Sequence, residues 1–189
     1  MSVAPLLAKP DPPLADDDLR LEPLEQRHAV GLLAVVEDDE DVPRFTRVPA
    51  DPDEAFVRSW ITRYERGWDD GSCAGFAAVD ADGIVVGFAS LVALDLEALE
   101  AEVGYMVDRR ARGRGIATRS LRLLTDWSFA ELGLERLELR IDPENTASAR
   151  VAERAGYRFE GVLRSKHIRD GRRADSGVWS LLRDDERVA

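Results

Sequence analysis

Between Glu102 and Ile141 the chain spells a strand, a glycine-punctuated turn, a helix and a second strand, and few folds accept that order. Glu102-Val103-Gly104-Tyr105-Met106-Val107 has the composition of a strand, and Arg109 to Arg114 reads Arg-Arg-Ala-Arg-Gly-Arg, running into Gly115. Ile116, Leu123, Leu124, Trp127 and Ala130 then share one helical face until Gly133 ends it. Leu137, Leu139 and Ile141 alternate with Glu138, Arg140 and Asp142, and Pro143 stops the second strand. A strand–helix–strand unit of this length closes as a right-handed crossover, so its strands are expected to be parallel.

The flanking segments predict a mixed α/β domain around that unit. Leu19, Leu21 and Pro23-Leu24 read as a short edge strand, since Pro23 cannot donate to a ladder. A helix over 25–37 carries Ala29, Leu32, Leu33 and Val36, and the acidic run Glu37 to Asp41 then leads as an exposed loop into Pro43 and Pro49. Asp51-Pro52-Asp53-Glu54 is a helix start with Asp51 as cap, followed by the stripe Val57, Trp60, Ile61, Tyr64, Trp68, which reads as core. Residues 73–79 and 84–94 flank the turn Asp80-Ala81-Asp82-Gly83 and form an antiparallel hairpin. Asn145 caps a helix carrying Ala147, Val151 and Ala155, and two last strands, 157–168 and 173–182, meet at Asp170-Gly171. Residues 1–18, with Pro5, Pro10, Pro12 and Pro13 and the run Asp16 to Asp18, read as a loose arm, leaving 19–189 as one domain.

Charge narrows the function. The 189 residues carry a formal net charge of −11, against a nucleic-acid coat or a polybasic membrane-surface protein. Residues 1–100 hold 8 basic and 22 acidic side chains, whereas residues 101–189 hold 18 and 15, so the net negative charge lies in the first half. One cysteine, Cys73, cannot form an internal disulfide and reads as core. His28 and His167 lack a nucleophile motif and read as surface or interface histidines. A cytoplasmic, metal-free chain with no membrane span is expected.

The turn at 107–117 is the chemical clue. A strand ends, two glycines follow, and a helix starts at once, which aims unpaired backbone N–H groups and the positive helix end at one point, a ready anion site. The loop contains no lysine for a Walker motif, and it has two glycines after a hairpin rather than three opening a first strand–helix unit.

Arg110-x-x-Gly113-x-Gly115 after that strand resembles the acetyl-CoA pyrophosphate loop of the GNAT N-acetyltransferase superfamily. Asn145-x-x-Ser148 with Ala155-Gly156-Tyr157-Arg158-Phe159-Glu160-Gly161, and the ending Asp170-Gly171-Arg172-Arg173-x-Asp175 with Trp179-Ser180-Leu181, are similar to its ribosomal-protein N-terminal (Rim-type) branch. The resemblance runs from about Leu19 to the C-terminus. It implies a single GNAT domain: a mostly antiparallel sheet of about six to seven strands, splayed at the centre and flanked by about four helices. It also implies direct attack of an amine on the acetyl-CoA thioester, with no metal.

The resemblance carries roles to particular residues. The cofactor would be held by Arg112, Gly113, Arg114, Gly115, Ile116 and Ala117 at the pyrophosphate, with Asn145 nearby and the Met106–Val107 main chain pairing with the pantetheine arm. Glu102, in an otherwise apolar strand where burial would raise its pKa, matches the branch's strand glutamate and is the base candidate; an exposed edge carboxylate is the plain alternative. The tyrosine that many superfamily members place seven residues beyond the Asn is Ala152 here. Ser148 is the residue the branch would put near the sulfur, or else a first-turn serine bonding backbone, just as Asn145 could be only a cap.

The expected reaction is acetylation of a primary amine, such as a protein N-terminal amine. The acceptor would lie between the early helices and the acidic loops, which favours a cationic amine or basic peptide. A small-molecule or polyamine acceptor, a succinyl-CoA-type donor, and a non-enzymatic acyl-CoA-binding module are the alternatives; a homodimer is compatible with all of them.

Overall fold

The computed structural model describes residues 7–169 and 172–186; the expected turn Asp170-Gly171 lies outside the described residues. One eight-stranded sheet runs in the order β1-β2-β3-β4-β5-β6-β8-β7. Its strands are β1 (Leu14–Asp16), β2 (Leu19–Pro23), β3 (Ala74–Val79), β4 (Val85–Asp95), β5 (Glu100–Val107), β6 (Arg136–Ile141), β7 (Arg158–Arg169) and β8 (Arg172–Leu182). The helices are α1 (Ala29–Val36), α2 (Asp41–Phe45), α3 (Glu54–Asp70), α4 (Ile116–Ala130) and α5 (Thr146–Arg154). All strand pairs are antiparallel except β5–β6, the two strands joined by α4, as the crossover argument requires.

Side-chain alternation builds a layer on each face of the sheet. Phe76, Ala78 and Leu91 point to the face covered by α4, where Leu121, Leu124 and Trp127 pack, while Ala77, Val79 and Phe88 meet α1 and α3 through Leu32, Val35, Val57 and Ile61. The aromatic stripe of α3 is core: Trp60 lies 4.7 Å from Phe88, and Trp68 5.9 Å from Trp127 between ring centres. Cys73 is buried as expected.

The feature that shapes the site is a short ladder. β5 and β6 pair only through Glu100↔Arg136, Ala101↔Leu137 and Glu102↔Glu138, and beyond Glu102 the strands part. β5 stays paired to β4 up to Gly87↔Val107, so its other edge from Val103 to Val107 faces the opening.

Four expectations are corrected. Residues 7–18 are not a loose arm: Leu7 is buried, β1 pairs with β2, and Arg119 binds Asp16 and Asp18 at 2.9 and 2.8 Å. The helix cap before α3 is Asp53, whose carboxylate accepts from the Phe56 amide at 2.7 Å, rather than Asp51. The acidic run is not a plain exposed loop, because Asp39 is 8% exposed and Asp41 already opens α2, whose Val42 is buried. His28 is also buried: its Nδ1 accepts from the Glu25 amide at 3.1 Å and its Nε2 lies 3.3 Å from Glu22. With both ring nitrogens partnered, the side chain can be buried without leaving a polar atom unmet.

Candidate active site

The opening between β5 and β6 leads into a cavity of about 290 Å³. Met106 and Val107 line it from the free edge of β5, and Arg112, Gly113, Gly115, Ile116 and Ala117 from the loop and first turn of α4. Ser148 of α5 and its cap Asn145 line it, and Val42 and Phe45 of α2 with the following Thr46 close it. Nine of the residues singled out in the sequence therefore share one space. Arg114 and Glu102 are not in its lining.

The loop owes its shape to two glycines in the left-handed region, Gly113 at φ 80° and Gly115 at φ 76°. A Cβ at either would project into open space, so backbone conformation, and not crowding, demands glycine there. No side chain caps α4, and its first turn-closing bond runs from the Arg119 amide to the Gly115 carbonyl. The amides of Ile116, Ala117 and Thr118 are thus orphan donors at the cavity wall, joined by the positive helix end.

The arginines are less available than their number suggests. Arg110 turns back on Asp108, with Nε 2.9 Å from Oδ1, and on the Ala34 carbonyl at 3.0 Å; its bonds hold the Asp108 carboxyl below the usual range. Arg109 donates to the Asp38 carbonyl at 2.6 Å, and Arg112 pairs with Asp39 and Asp41. Arg114 is exposed. What the loop offers an anion is therefore first its backbone amides.

Two hydroxyls of the lining, those of Tyr105 and Ser148, touch each other. Asn145 accepts from the Ser148 amide at 3.0 Å and so caps α5 while lining the cavity. That leaves the Ser148 side chain free of capping, and its Oγ lies 2.7 Å from the Tyr105 phenol oxygen, which also reaches the Ser148 carbonyl at 3.2 Å. Burial pushes the Tyr105 phenol up to about 12. Sequence reading passed over Tyr105 as a strand residue; the want of a hydroxyl at Ala152 was the signal to look for another phenol nearby. It also missed α2, whose wall residues come from a segment read as loop.

Glu102 sits at the last rung of the β5–β6 ladder, beside a smaller recess of about 80 Å³ shared with Glu100, Glu138 and Arg140. Burial raises its carboxyl, Arg140 at 3.5 Å opposes that, and Glu138 adds to it. Among the described residues no cluster of three or more His, Cys, Asp or Glu could hold a metal, and no helix is long and apolar enough to cross a membrane.

The fold matches known proteins. Residues 18–158 fit the family described as the acetyltransferase (GNAT) domain, and the chain belongs to that family. The probable N-acetyltransferase YjcK of Bacillus subtilis is 37% identical over 106 residues, 56% of this chain and 59% of YjcK, so the chain spans less than two thirds of that relative. The spermidine N(1)-acetyltransferase of Escherichia coli is 29% identical over 153 residues, 81% of this chain and 80% of that protein. The structure of RimL, a ribosomal L7/L12 alpha-N-protein acetyltransferase in complex with coenzyme A, superposes with a TM-score of 0.81 at 20% identity, covering 90% of this chain and 96% of that one. At that identity the likeness is one of fold.

Proposed function

We propose that the chain is an acetyl-CoA-dependent N-acetyltransferase of the Rim type that acetylates a primary amine, with cationic amines and basic peptide N-termini as the favoured class. The observation that carries the reading is the continuity of one cavity from the uncapped amides of α4 to the Ser148 hydroxyl, along an unpaired strand edge. A pyrophosphate suits the amides of 112–117, and a pantetheine amide suits the open main chain of Met106 and Val107, which can pair with it as a strand would.

In the proposed reaction the amine nitrogen attacks the thioester carbonyl, the new C–N bond forms, the C–S bond breaks, and the amine's proton leaves towards solvent. Glu102 is the proposed acceptor of that proton through water, since its raised carboxyl lies on the strand that leads to the opening. Backbone N–H near Val107 would meet the developing oxyanion, and Ser148 the departing sulfur. A cytoplasmic enzyme would meet both substrates.

Acidic side chains Glu100, Glu102 and Glu138 around the recess support a cationic acceptor, whose capture should weaken with added salt. Both a polyamine and a protein N-terminus carry that charge, and relatives acting on each are known. A homodimer has one support, the exposed apolar Phe159, Val162 and Ile168 on β7, and light scattering at the mass of two chains would bear it out. The test of the function is free-thiol release from acetyl-CoA against a panel of spermidine, small amines and N-terminal peptides at two salt concentrations. Release with a cationic acceptor, weakened by salt, supports the reading; CoA binding without release from any amine leaves an acyl-CoA-binding module.

A further inference from the structure

The paired hydroxyls of Tyr105 and Ser148 in the cavity wall carry an inference that rests on reading this cavity as the thioester site. We propose that Tyr105 is a positioning residue: its phenol donates to Ser148 Oγ and so leaves the Ser148 proton to point into the cavity, at the sulfur of CoA.

Three observations converge on that arrangement. The Ser148 amide is already satisfied by Asn145, so the hydroxyl is not spent on the cap. The single phenol proton has two acceptors in reach, Ser148 Oγ at 2.7 Å and the Ser148 carbonyl at 3.2 Å; the shorter contact, and a phenol's being a better donor and poorer acceptor than an alkyl hydroxyl, direct that proton to Oγ. The phenol, pushed up by burial, keeps its proton throughout the neutral range, so it donates without being a source of protons. Room for the ring exists because β5 leaves β6 after Glu102, three residues before Tyr105. The chain thus assembles across 43 residues of sequence a hydroxyl whose proton direction is fixed by its neighbour.

The balance of the step is simple. When the C–S bond breaks, its electron pair stays on sulfur, and the thiolate accepts the Ser148 hydrogen bond. No proton leaves Tyr105; the proton released in the reaction is the amine's. The charged side chains lining the same cavity are Asp41, Arg112 and Arg154, and the first two are paired with each other.

The test reads the thiol itself rather than turnover. The thiolate absorbance of CoA bound to the full chain is titrated against a desulfo-CoA blank, which cancels the buried Cys73. In the native protein the bound thiol should show about tenfold more thiolate at a given pH than free CoA, a shift of roughly one pKa unit. Tyr105→Phe should return most of that shift, Ser148→Ala all of it, and the double variant should match Ser148→Ala alone. Replacing Tyr105 by 3-fluorotyrosine, a stronger donor of nearly the same shape, should increase the thiolate fraction, which guards against a variant that fails through folding. A Tyr105→Phe protein that titrates like the native one, a fluorotyrosine protein that does not move, or a native bound thiol that titrates like free CoA would each overturn the proposal. Failure of the acetyltransferase reading would look different: the thiol shift intact and no amine acetylated.

Discussion

Arg112 Nη2 lies 2.5 Å from Asp39 Oδ2, while its Nη1 reaches Asp41 at 3.1 Å, tying the loop before α4 to the segment that leads into α2. The acidic first half and the basic second half are therefore not two separate ends of a cleft. They interlock here and again where Arg119 holds Asp16 and Asp18.

That tie sets the first prediction. The Asp39 side chain is 5% exposed and that of Arg112 43%, so the pair is half screened by solvent and worth less than a fully buried one. Arg112→Ala should destabilise the fold by about 1–2 kcal/mol, a fall in melting temperature of roughly 3–6 °C for a chain of this size. Asp39→Asn, which removes the buried charge instead of its partner, should cost less in the same thermal melt.

Gly115 gives the second. Its φ of 76° penalises any Cβ by about 1–2 kcal/mol, yet a Cβ there meets no protein atom within 4 Å. Gly115→Val should therefore lower the melting temperature modestly while abolishing the rise that CoA causes, about 2.7 kcal/mol at one hundred times Kd in the native protein. A bulky residue at 115 that leaves the CoA shift whole would contradict an anion cradle in this loop.

How far these features were legible depends on their range along the chain. The β3–β4 hairpin, the parallel β5–β6 pair, the glycine turn and the Asn145 cap are local, and period, turn residues and caps spell them out. Tyr105 beside Ser148 and Arg112 beside Asp39 are separated by 43 and 73 residues, and no spacing rule links them. α2 escaped because Pro43 reads as a breaker, although proline fits the first turn of a helix, where its missing N–H costs nothing. Likewise β1 is three residues long and exists because β2 offers it an edge, which composition does not reveal.

His28 supplies a prediction about pH. Burial, with Arg27 nearby, lowers the pKa of its ring from the ordinary value of 6.5, although Glu22 pulls the other way. A depressed folded value means that the unfolded chain takes up the proton first, so stability is full above about pH 6.5 and falls as pH drops below it towards the folded value. The Glu22 carboxyl, raised by burial but lowered further by bonds from His28, Arg20 and Arg27, loses its contribution only in the range below its ordinary 4.5. Between about pH 7 and about pH 5.5 the histidine lowers stability as pH falls, while the raised Glu102 carboxyl acts in the opposite sense, so His28→Gln should flatten or reverse the slope of the melts. An unchanged slope in the variant would assign the acid sensitivity elsewhere.

Glu102 supplies another. Burial raises its carboxyl, so the base form should fill at higher pH than for an ordinary glutamate, and kcat/KM should rise with pH through that raised value. Glu102→Gln should lower kcat by roughly 10²-fold, the usual worth of a general base, and remove the acidic limb of the profile. A variant with the native limb would shift the proton's route to solvent without Glu102.

The most direct measurement is mass spectrometry of the acceptor after incubation of the native chain with acetyl-CoA and spermidine or a basic N-terminal peptide. The account predicts one acetyl group on an amine and one free CoA thiol for each transfer, both lost in Gly115→Val. CoA bound, as the thermal shift would report, with no acetyl group appearing on any amine, would contradict it.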